Sequence, residues 1–312
     1  MISSGQVFLI SAHLAAEQTY VIDLRTNRIV AVANRHTRRR GVEYVPELKK
    51  LYTSNAHDDT IGVVDLKQMK VIKKLKTASK PDGNTYAAPF HKLHVSDERG
   101  KAEAIVDVQK DEIVGTLRFD SETGMPQYDP IARKVYVNLQ DQNIFAVIDP
   151  VMDKIVGRYS VGQCKGNHGM ALDPEHQRAF LACEQNNLMT VFDLDKHTPI
   201  AFLPLADGPD VIKFDAGLGR IYVACYSGAS PFSIRMIQTT TASWKTFASS
   251  MQSIASPLIP RRIVFTRRSR KRMESRSHGW SSTRRSLILS RPVGTNLAAA
   301  KRSGSNDEMD YS

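Results

Sequence analysis

The sequence predicts an all-β fold assembled from repeats of about 42 residues, and two series of evenly spaced residues predict it. A mostly aromatic position recurs at steps of 42, 42, 44 and 42 residues, at Tyr52, His94, Tyr136, Phe180 and Tyr222. An aspartate recurs at steps of 42, 42, 42 and 44 residues, at Asp23, Asp65, Asp107, Asp149 and Asp193. A fixed period of this length is typical of repeat architectures, in which each repeat forms one small structural unit.

Each repeat predicts four short strands. In the segment 133–149 (RKVYVNLQDQNIFAVID), two runs of β-branched and aromatic residues flank a polar turn, and the second run ends at Asp149. Such runs are typical of strands. A third run follows at 155–157, and a fourth precedes the next aromatic position at 170–172. Four strands in about 42 residues indicate one blade of a β-propeller. The alternative, a solenoid of β-arcs, usually has a shorter period.

The repeats also resemble a known family. KLYTSN at 50–55, RKVYVN at 133–138 and RIYVAC at 220–225 resemble the YVTN or YncE-like β-propeller repeat. The first two are followed by strands ending in VVD and VID. The resemblance covers residues 1 to about 230 and implies a propeller fold. It also implies that relatives are often exported and that some bind ligands or cofactors on the channel face.

Two regions are predicted from the pattern. Residues 1–230 hold a partial blade, four full blades and the start of a sixth, so we expect an incomplete propeller. Residues 231–312 form a basic, Ser/Arg-rich tail, predicted to be disordered or out of frame. The first region holds 28 Lys+Arg and 28 Asp+Glu, whereas the second holds 15 against 4. The tail is therefore either a genuine segment able to bind polyanions without sequence preference or the product of a broken reading frame. The second interpretation is favoured because the repeat pattern ends in the middle of a blade.

Several classes of protein are disfavoured. The start, MISSGQVFLIS, lacks the basic segment of a signal peptide, and no apolar run approaches the length of a membrane helix. The sequence does not indicate the cellular compartment of the protein. No common catalytic motif occurs, so we expect no catalytic residues and no cofactor. The recurring aspartates are predicted to accept backbone N–H bonds in the following turns.

Cysteines and histidines predict neither a disulfide framework nor a metal site. Cys183 and Cys225 occupy equivalent positions in neighbouring repeats, too far apart for a disulfide, and are expected to be reduced. His91 and His94 should point to opposite faces of a strand. Cys164 and His168 could share a metal ion, but no further ligand is evident.

A ligand site is expected where the loops between blades meet at the mouth of the channel. These loops are 80–86, 122–126, 162–169 and 207–210, and their polar residues are also ordinary turn formers. The predicted ligand-binding residues are Asp82, Asn84, Tyr86, Lys165, Asn167, His168, Asp207 and Asp210.

The sequence favours a non-catalytic propeller that binds a small molecule or a protein at these loops. Two alternatives stay open: an enzyme on the same fold, of the lactonase-like or quinoprotein-like kind, and a nucleic-acid binder acting through the basic tail. Fold alone does not choose among them.

Overall fold

The computed structural model describes residues 8–13, 18–33, 39–68, 70–227, 232–240 and 243–249. These residues form strands and two short 3-10 helices, and they all lie in one of the two compact units of the chain, Met1–Arg268. The strands form six antiparallel sheets, each built from consecutive strands, as the repeat predicts.

The first sheet has three described strands and the other five have four each. The first sheet contains β1 (Phe8–His13), β2 (Gln18–Asp23) and β3 (Arg28–Ala33). The second contains β4 (Arg39–Val45), β5 (Lys50–Asn55), β6 (Thr60–Asp65) and β7 (Lys70–Lys76). The third contains β8 (Pro81–Ala87), β9 (Lys92–Asp97), β10 (Ala102–Asp107) and β11 (Glu112–Arg118). The fourth contains β12 (Thr123–Asp129), β13 (Lys134–Leu139), β14 (Ile144–Asp149) and β15 (Lys154–Ser160).

The fifth sheet contains β16 (Asn167–Asp173), β17 (Arg178–Cys183), β18 (Leu188–Asp193) and β19 (Thr198–Pro204). The sixth contains β20 (Pro209–Asp215), β21 (Arg220–Cys225), β22 (Phe232–Thr240) and β23 (Ser243–Ser249). The 3-10 helices Ala88–Phe90 and Pro174–His176 join the first two strands of their sheets. Within the described part of the chain, no helix has the length and apolar character that crossing a membrane requires.

The last two strands lie in the range that composition assigns to the tail. β22 pairs with β21 through Ile221↔Ile234 and with β23 through Ile234↔Ala248. The sixth sheet therefore extends to Ser249 and does not end near residue 230. Alternation of apolar residues over Phe232, Ile234 and Met236 is compatible with a strand, although the marker aspartate expected here is replaced by Arg235. The rest of the predicted tail lies outside the described residues.

The recurring aspartates close the turns between the last two strands of their sheets, and they accept backbone N–H bonds there, as predicted. Asp65 Oδ1 accepts the backbone N–H of Lys67 at 2.7 Å, and Asp149 Oδ1 accepts that of Val151 at 2.8 Å. Asp23, Asp107 and Asp193 make the equivalent bond. These carboxylates satisfy turn N–H groups, which explains their repetition without any catalytic role.

Apolar side chains fill the space between neighbouring sheets. Tyr52, Ile61 and Val63 pack against Leu93, Val95 and Val106, which joins the second and third sheets. Phe145 and Phe192 meet between the fourth and fifth sheets, with ring centroids 4.9 Å apart. The first four members of the aromatic series are all buried, so this position is the repeating core residue of the fold.

The first strands of the second to sixth sheets line the centre of the molecule. Each contacts the next in turn: β4 with β8, β8 with β12, β12 with β16, and β16 with β20. These are the innermost strands of the blades, and polar side chains on them face a common region.

Candidate functional site

Each innermost strand carries a register irregularity in its first half. The shifts fall between Arg39 and Val42, Pro81 and Asn84, Thr123 and Pro126, Asn167 and Met170, and Pro209 and Val211. A β-bulge bends a strand locally and redirects its side chains. The residues predicted to lie in the channel-mouth loops at 82–86, 167–168 and 210 are therefore in the bulged starts of β8, β16 and β20, not in loops.

Glycines at these bulges let the innermost strands approach one another closely. A Cβ on Gly169 would overlap the backbone carbonyl oxygen of Asp210, and a Cβ on Gly41 would overlap that of Asp82. A Cβ on Gly124 would lie 2.6 Å from the carbonyl oxygen of His168. Only a residue without a side chain leaves room for the neighbouring backbone. The glycines thus set the positions of three predicted site residues.

His168 is buried and is the centre of a group of buried and half-buried charged side chains. Its Nδ1 lies 2.7 Å from Asp210 Oδ1, and its Nε2 lies 3.8 Å from Asp82 Oδ2. The Nδ1 contact is close but poorly aligned for a hydrogen bond, so it is best described as an ion pair. Because the fourth sheet lies between the third and the fifth, the contact between Asp82 and His168 spans the inner side of the fourth sheet.

Two further charged residues complete this group, which we call the central cluster: Lys80, Asp82, Glu98, His168 and Asp210. Glu98 follows β9 and is 7% exposed. Its Oε2 lies 2.6 Å from Lys80 Nζ. Ligating atoms of Asp82, Glu98 and His168 all lie within 4.8 Å of one another. The cluster therefore joins carboxylates and an imidazole from the third, fifth and sixth sheets.

The cluster favours positive charge at its centre. Burial lowers the pKa of His168, but the close carboxylates of Asp210 and Asp82 outweigh burial and raise it to about 10. Burial also raises the pKa of Glu98, the ion pair with Lys80 opposes this change, and the nearby Asp82 adds to it. The carboxylates of Asp210 and Asp82 therefore hold the imidazole as a cation.

The other predicted site residues lie outside the cluster. Asn84 Nδ2 donates to Ser54 Oγ at 3.2 Å, and Tyr86 donates its hydroxyl hydrogen to Glu47. Asn167 is fully buried and donates to Asn138 Oδ1 and to the Ile144 carbonyl, both at 2.9 Å. Lys165 and Asp207 are exposed in loops. Asn84, Tyr86 and Asn167 thus have contacts within or between blades.

The cysteine prediction was wrong for Cys183 and correct for Cys225. Cys164 and Cys183 form a disulfide with Cα atoms 5.2 Å apart, while Cys225 is free. Asn167 pairs with Cys183 in the sheet, which brings the preceding loop beside β17. The prediction considered only the two cysteines at equivalent positions of neighbouring repeats. It did not consider a bond between Cys164, in the loop before β16, and Cys183 in β17. The disulfide also excludes the Cys164–His168 metal pair.

The two spaced histidines lie in different environments, but strand alternation is not the reason, because His91 caps the 3-10 helix before β9 with a left-handed backbone. His94 is fully buried and neither ring nitrogen has a hydrogen-bond partner, whereas the side chain of His91 is 47% exposed. The two side chains therefore do not share a site.

Glu98 and Lys80 are the members of the cluster that sequence reasoning missed. Glu98 comes four residues after the aromatic position, where other repeats have Ala56, Gln140, Glu184 and Tyr226. The backbone N–H at this position bonds to the carbonyl before an innermost strand: Glu98 to Lys80 at 3.0 Å, and Glu184 to Gly166 at 3.0 Å. That recurring bond brings the residue to the start of the innermost strand, a signal that the repeat alignment contains.

Comparison with known proteins shows the fold of this chain but does not assign the chain to a family. No model of a known protein family matches the chain, and no curated protein matches its sequence. Solved structures do share the architecture. A functionally unknown protein from Desulfotomaculum acetoxidans DSM 771 is 11% identical with a TM-score of 0.66, over 78% of this chain and 80% of that one.

Two further solved structures are similar at low identity. A chain of the mitotic checkpoint complex is 9% identical with a TM-score of 0.64, over 78% of this chain and 72% of its own. A chain of Kuenenia stuttgartiensis hydrazine synthase is 15% identical with a TM-score of 0.52, over 76% and 93%. Together with the radial order of the sheets, these similarities show that the chain has a β-propeller fold.

Proposed function

We propose that this protein is a non-catalytic β-propeller that binds a small cationic ligand at the central cluster. The observation that carries the proposal is the meeting of His168 with Asp82 and Asp210, three residues from three different sheets. Titratable groups that perturb one another are typical of functional sites, and carboxylates that converge on one place favour a positively charged partner. We also propose that the chain belongs to the YVTN or YncE-like family that its repeats resemble. Membership of this family is compatible with a binding role.

The architecture supports a binding role at this place. Sites between repeated elements collect side chains from several elements around one axis. Here rigid strands hold the side chains, because the bulges and glycines fix the positions of β8, β16 and β20. A site on strands is held more precisely than one on loops. The similar solved structures come from proteins of different kinds, so the fold alone selects no function.

A thermal-unfolding assay tests the proposal with named cations. The wild-type chain is heated with spermidine, choline, Mg²⁺ or Zn²⁺. A ligand that binds only the folded state raises stability by about 2.7 kcal/mol at a hundredfold excess over its dissociation constant. We expect at least one of these cations to raise the melting temperature at low millimolar concentration or below.

Matched variants assign the effect to the cluster. Asp82→Asn and Asp210→Asn remove one charge each with little change of shape. Asp82→Asn should abolish the rise in melting temperature, and Asp210→Asn should reduce it. Asp207→Asn removes an exposed charge from the loop just before β20 and should leave the rise unchanged. The proposal fails if no cation stabilises the wild type, or if all three variants respond as the wild type does.

A further inference from the structure

We propose that Asp82, Glu98 and His168 bind a divalent first-row transition-metal ion, with Zn²⁺ as the best match. This inference rests on the proposed cation-binding function and names the class of cation. Ligating atoms of the three side chains, one from each, already lie within 4.8 Å of one another. All three residues are buried, so water competes weakly for the site.

The donor set selects the class of metal. Zinc is bound by histidine nitrogen and by Asp or Glu oxygen, and a set of three protein ligands leaves a fourth position for water. Mg²⁺ and Ca²⁺ prefer oxygen ligands only, whereas an imidazole favours Zn²⁺ and its neighbours in the first transition row.

The second ring nitrogen of His168 provides an independent observation. Its Nδ1 lies 2.7 Å from Asp210 Oδ1, on the opposite side of the ring from the Nε2 that faces Asp82. Histidines that bind metals usually contact a carboxylate through the nitrogen that does not bind, and this contact fixes the orientation of the ring. Asp210 is therefore a positioning residue. Nε2 is the atom offered to the metal, and binding releases to solvent the proton that Nε2 carries in the metal-free cluster.

Binding of a metal ion requires the ligand atoms to move closer together. Zinc bonds to nitrogen and oxygen of about 2.0–2.2 Å place neighbouring ligand atoms roughly 3.4 Å apart in a tetrahedral site. The Nε2 of His168 and Oδ2 of Asp82 are 3.8 Å apart. Lys80 holds Glu98 through Oε2 at 2.6 Å, which fixes where this carboxylate stands.

Calorimetric titration of the full chain with Zn²⁺, after dialysis against a chelator, tests the inference. We expect one Zn²⁺ per chain at the cluster, and a titration with Co²⁺ should give the visible absorption of a four-coordinate site. His168→Gln and Asp82→Asn should each remove this binding. Asp210→Asn should weaken it by about 10–100-fold, because it removes the contact that orients His168.

Control variants separate the cluster from other ligands of the chain. Cys225→Ser removes the free thiol and should leave the affinity unchanged. His91→Gln removes an exposed imidazole and should also leave it unchanged. Circular dichroism of every variant checks folding, and if His168→Gln does not fold, Asp82→Asn and Asp210→Asn decide. Binding that is absent, or that survives all three cluster variants, overturns the inference.

The outcomes for metal and for other cations are distinct. If Zn²⁺ does not bind but spermidine or choline stabilises the wild type and not Asp82→Asn, the metal inference fails and the proposed function stands. If Zn²⁺ binds and the cluster variants remove it, both stand. If no cation depends on the cluster, both fail.

Discussion

His94 is a single residue that departs from the core pattern of the repeats. Its position holds Tyr52, Tyr136 and Phe180 in other sheets, and all four side chains are buried. The ring nitrogens of His94 lack hydrogen-bond partners. A buried polar group without a partner costs about 1–3 kcal/mol. The repeat thus accepts a polar ring here at the expense of stability.

Replacing this ring with an apolar one should stabilise the fold. His94→Phe, which copies Phe180, is expected to raise the free energy of unfolding by about 1–2 kcal/mol because it removes the unsatisfied nitrogens. Urea denaturation at pH 7.5 measures the change. His57→Phe serves as the control, since that side chain is 66% exposed and the change should stay within about 0.5 kcal/mol. A destabilised His94→Phe protein would show that the site is too small for a phenyl ring.

The same variant should change the response to acid. Burial, with a smaller effect of Lys92, lowers the pKa of His94 from 6.5 to about 3. Between these values the unfolded chain binds a proton that the folded chain does not, so stability falls as the pH drops below about 6.5. The loss is about 1.4 kcal/mol per pH unit. Relative to His94→Phe, the wild type should therefore lose stability between pH 6.5 and 4.

Individual site residues were only partly predictable. Asp82, His168 and Asp210 stand in predicted inter-blade segments, because the period shows which segments face the channel. Glu98 and Lys80 were not predicted as site residues, because nothing in the local sequence distinguishes a turn glutamate that enters the site from one that faces solvent. Asn167 was predicted to bind ligand because of its residue type. It instead donates hydrogen bonds to Asn138 and Ile144, a contact between neighbouring blades that no single repeat reveals.

At the scale of the strand, the bulged starts of the innermost strands position the site. Loops were expected over residues 80–86 because Pro, Asp, Gly and Asn are typical of turns. The structure places β8 at Pro81–Ala87, with the irregularity between Pro81 and Asn84. The same residues that break a regular strand also form a bulge within it. Composition therefore indicated the irregularity but not its kind.

A single methyl group at such a bulge should disturb the fold and the site together. In Gly169→Ala the new Cβ would overlap the carbonyl oxygen of Asp210, so we expect a loss of about 1–3 kcal/mol in the free energy of unfolding. Displacing Asp210 should also weaken cation binding.

Gly115→Ala is the matched control for this prediction. It lies in a strand, and its Cβ would meet ordinary contacts with Ile105, the nearest at 3.5 Å. Its stability should change by less than about 1 kcal/mol, and cation binding should be unaffected. Equal losses in the two variants would show that close approach of the backbones does not set the effect at Gly169.

For the whole molecule, the repeat period predicted the fold and could not predict contacts outside the repeat. The period, the strand composition and the closing aspartates were enough for a propeller of four-stranded blades. The Cys164–Cys183 disulfide joins a loop to a strand within one blade, and no other blade has an equivalent pair. Strands β22 and β23 also lack the periodic markers, so they were assigned to the tail.

Removal of the disulfide should lower the stability of the molecule. It closes a loop between residues 19 apart, and a cross-link of this size stabilises a fold by about 3 kcal/mol. The double variant Cys164→Ala, Cys183→Ala should lose a comparable amount in urea denaturation. Cys225→Ala, which removes a free thiol, should lose much less. Equal losses would mean that the cross-link contributes nothing beyond packing.

Nuclear magnetic resonance of histidine labelled with ¹⁵N in the ring tests most directly whether the central cluster is the ligand site. The His168 signal is assigned by its absence in His168→Gln, and the wild type is titrated with the cation that stabilises it. We predict a saturable shift of the His168 ring nitrogens, with His91 and His57 unchanged. A stabilising cation that leaves the His168 signals unmoved would contradict the account.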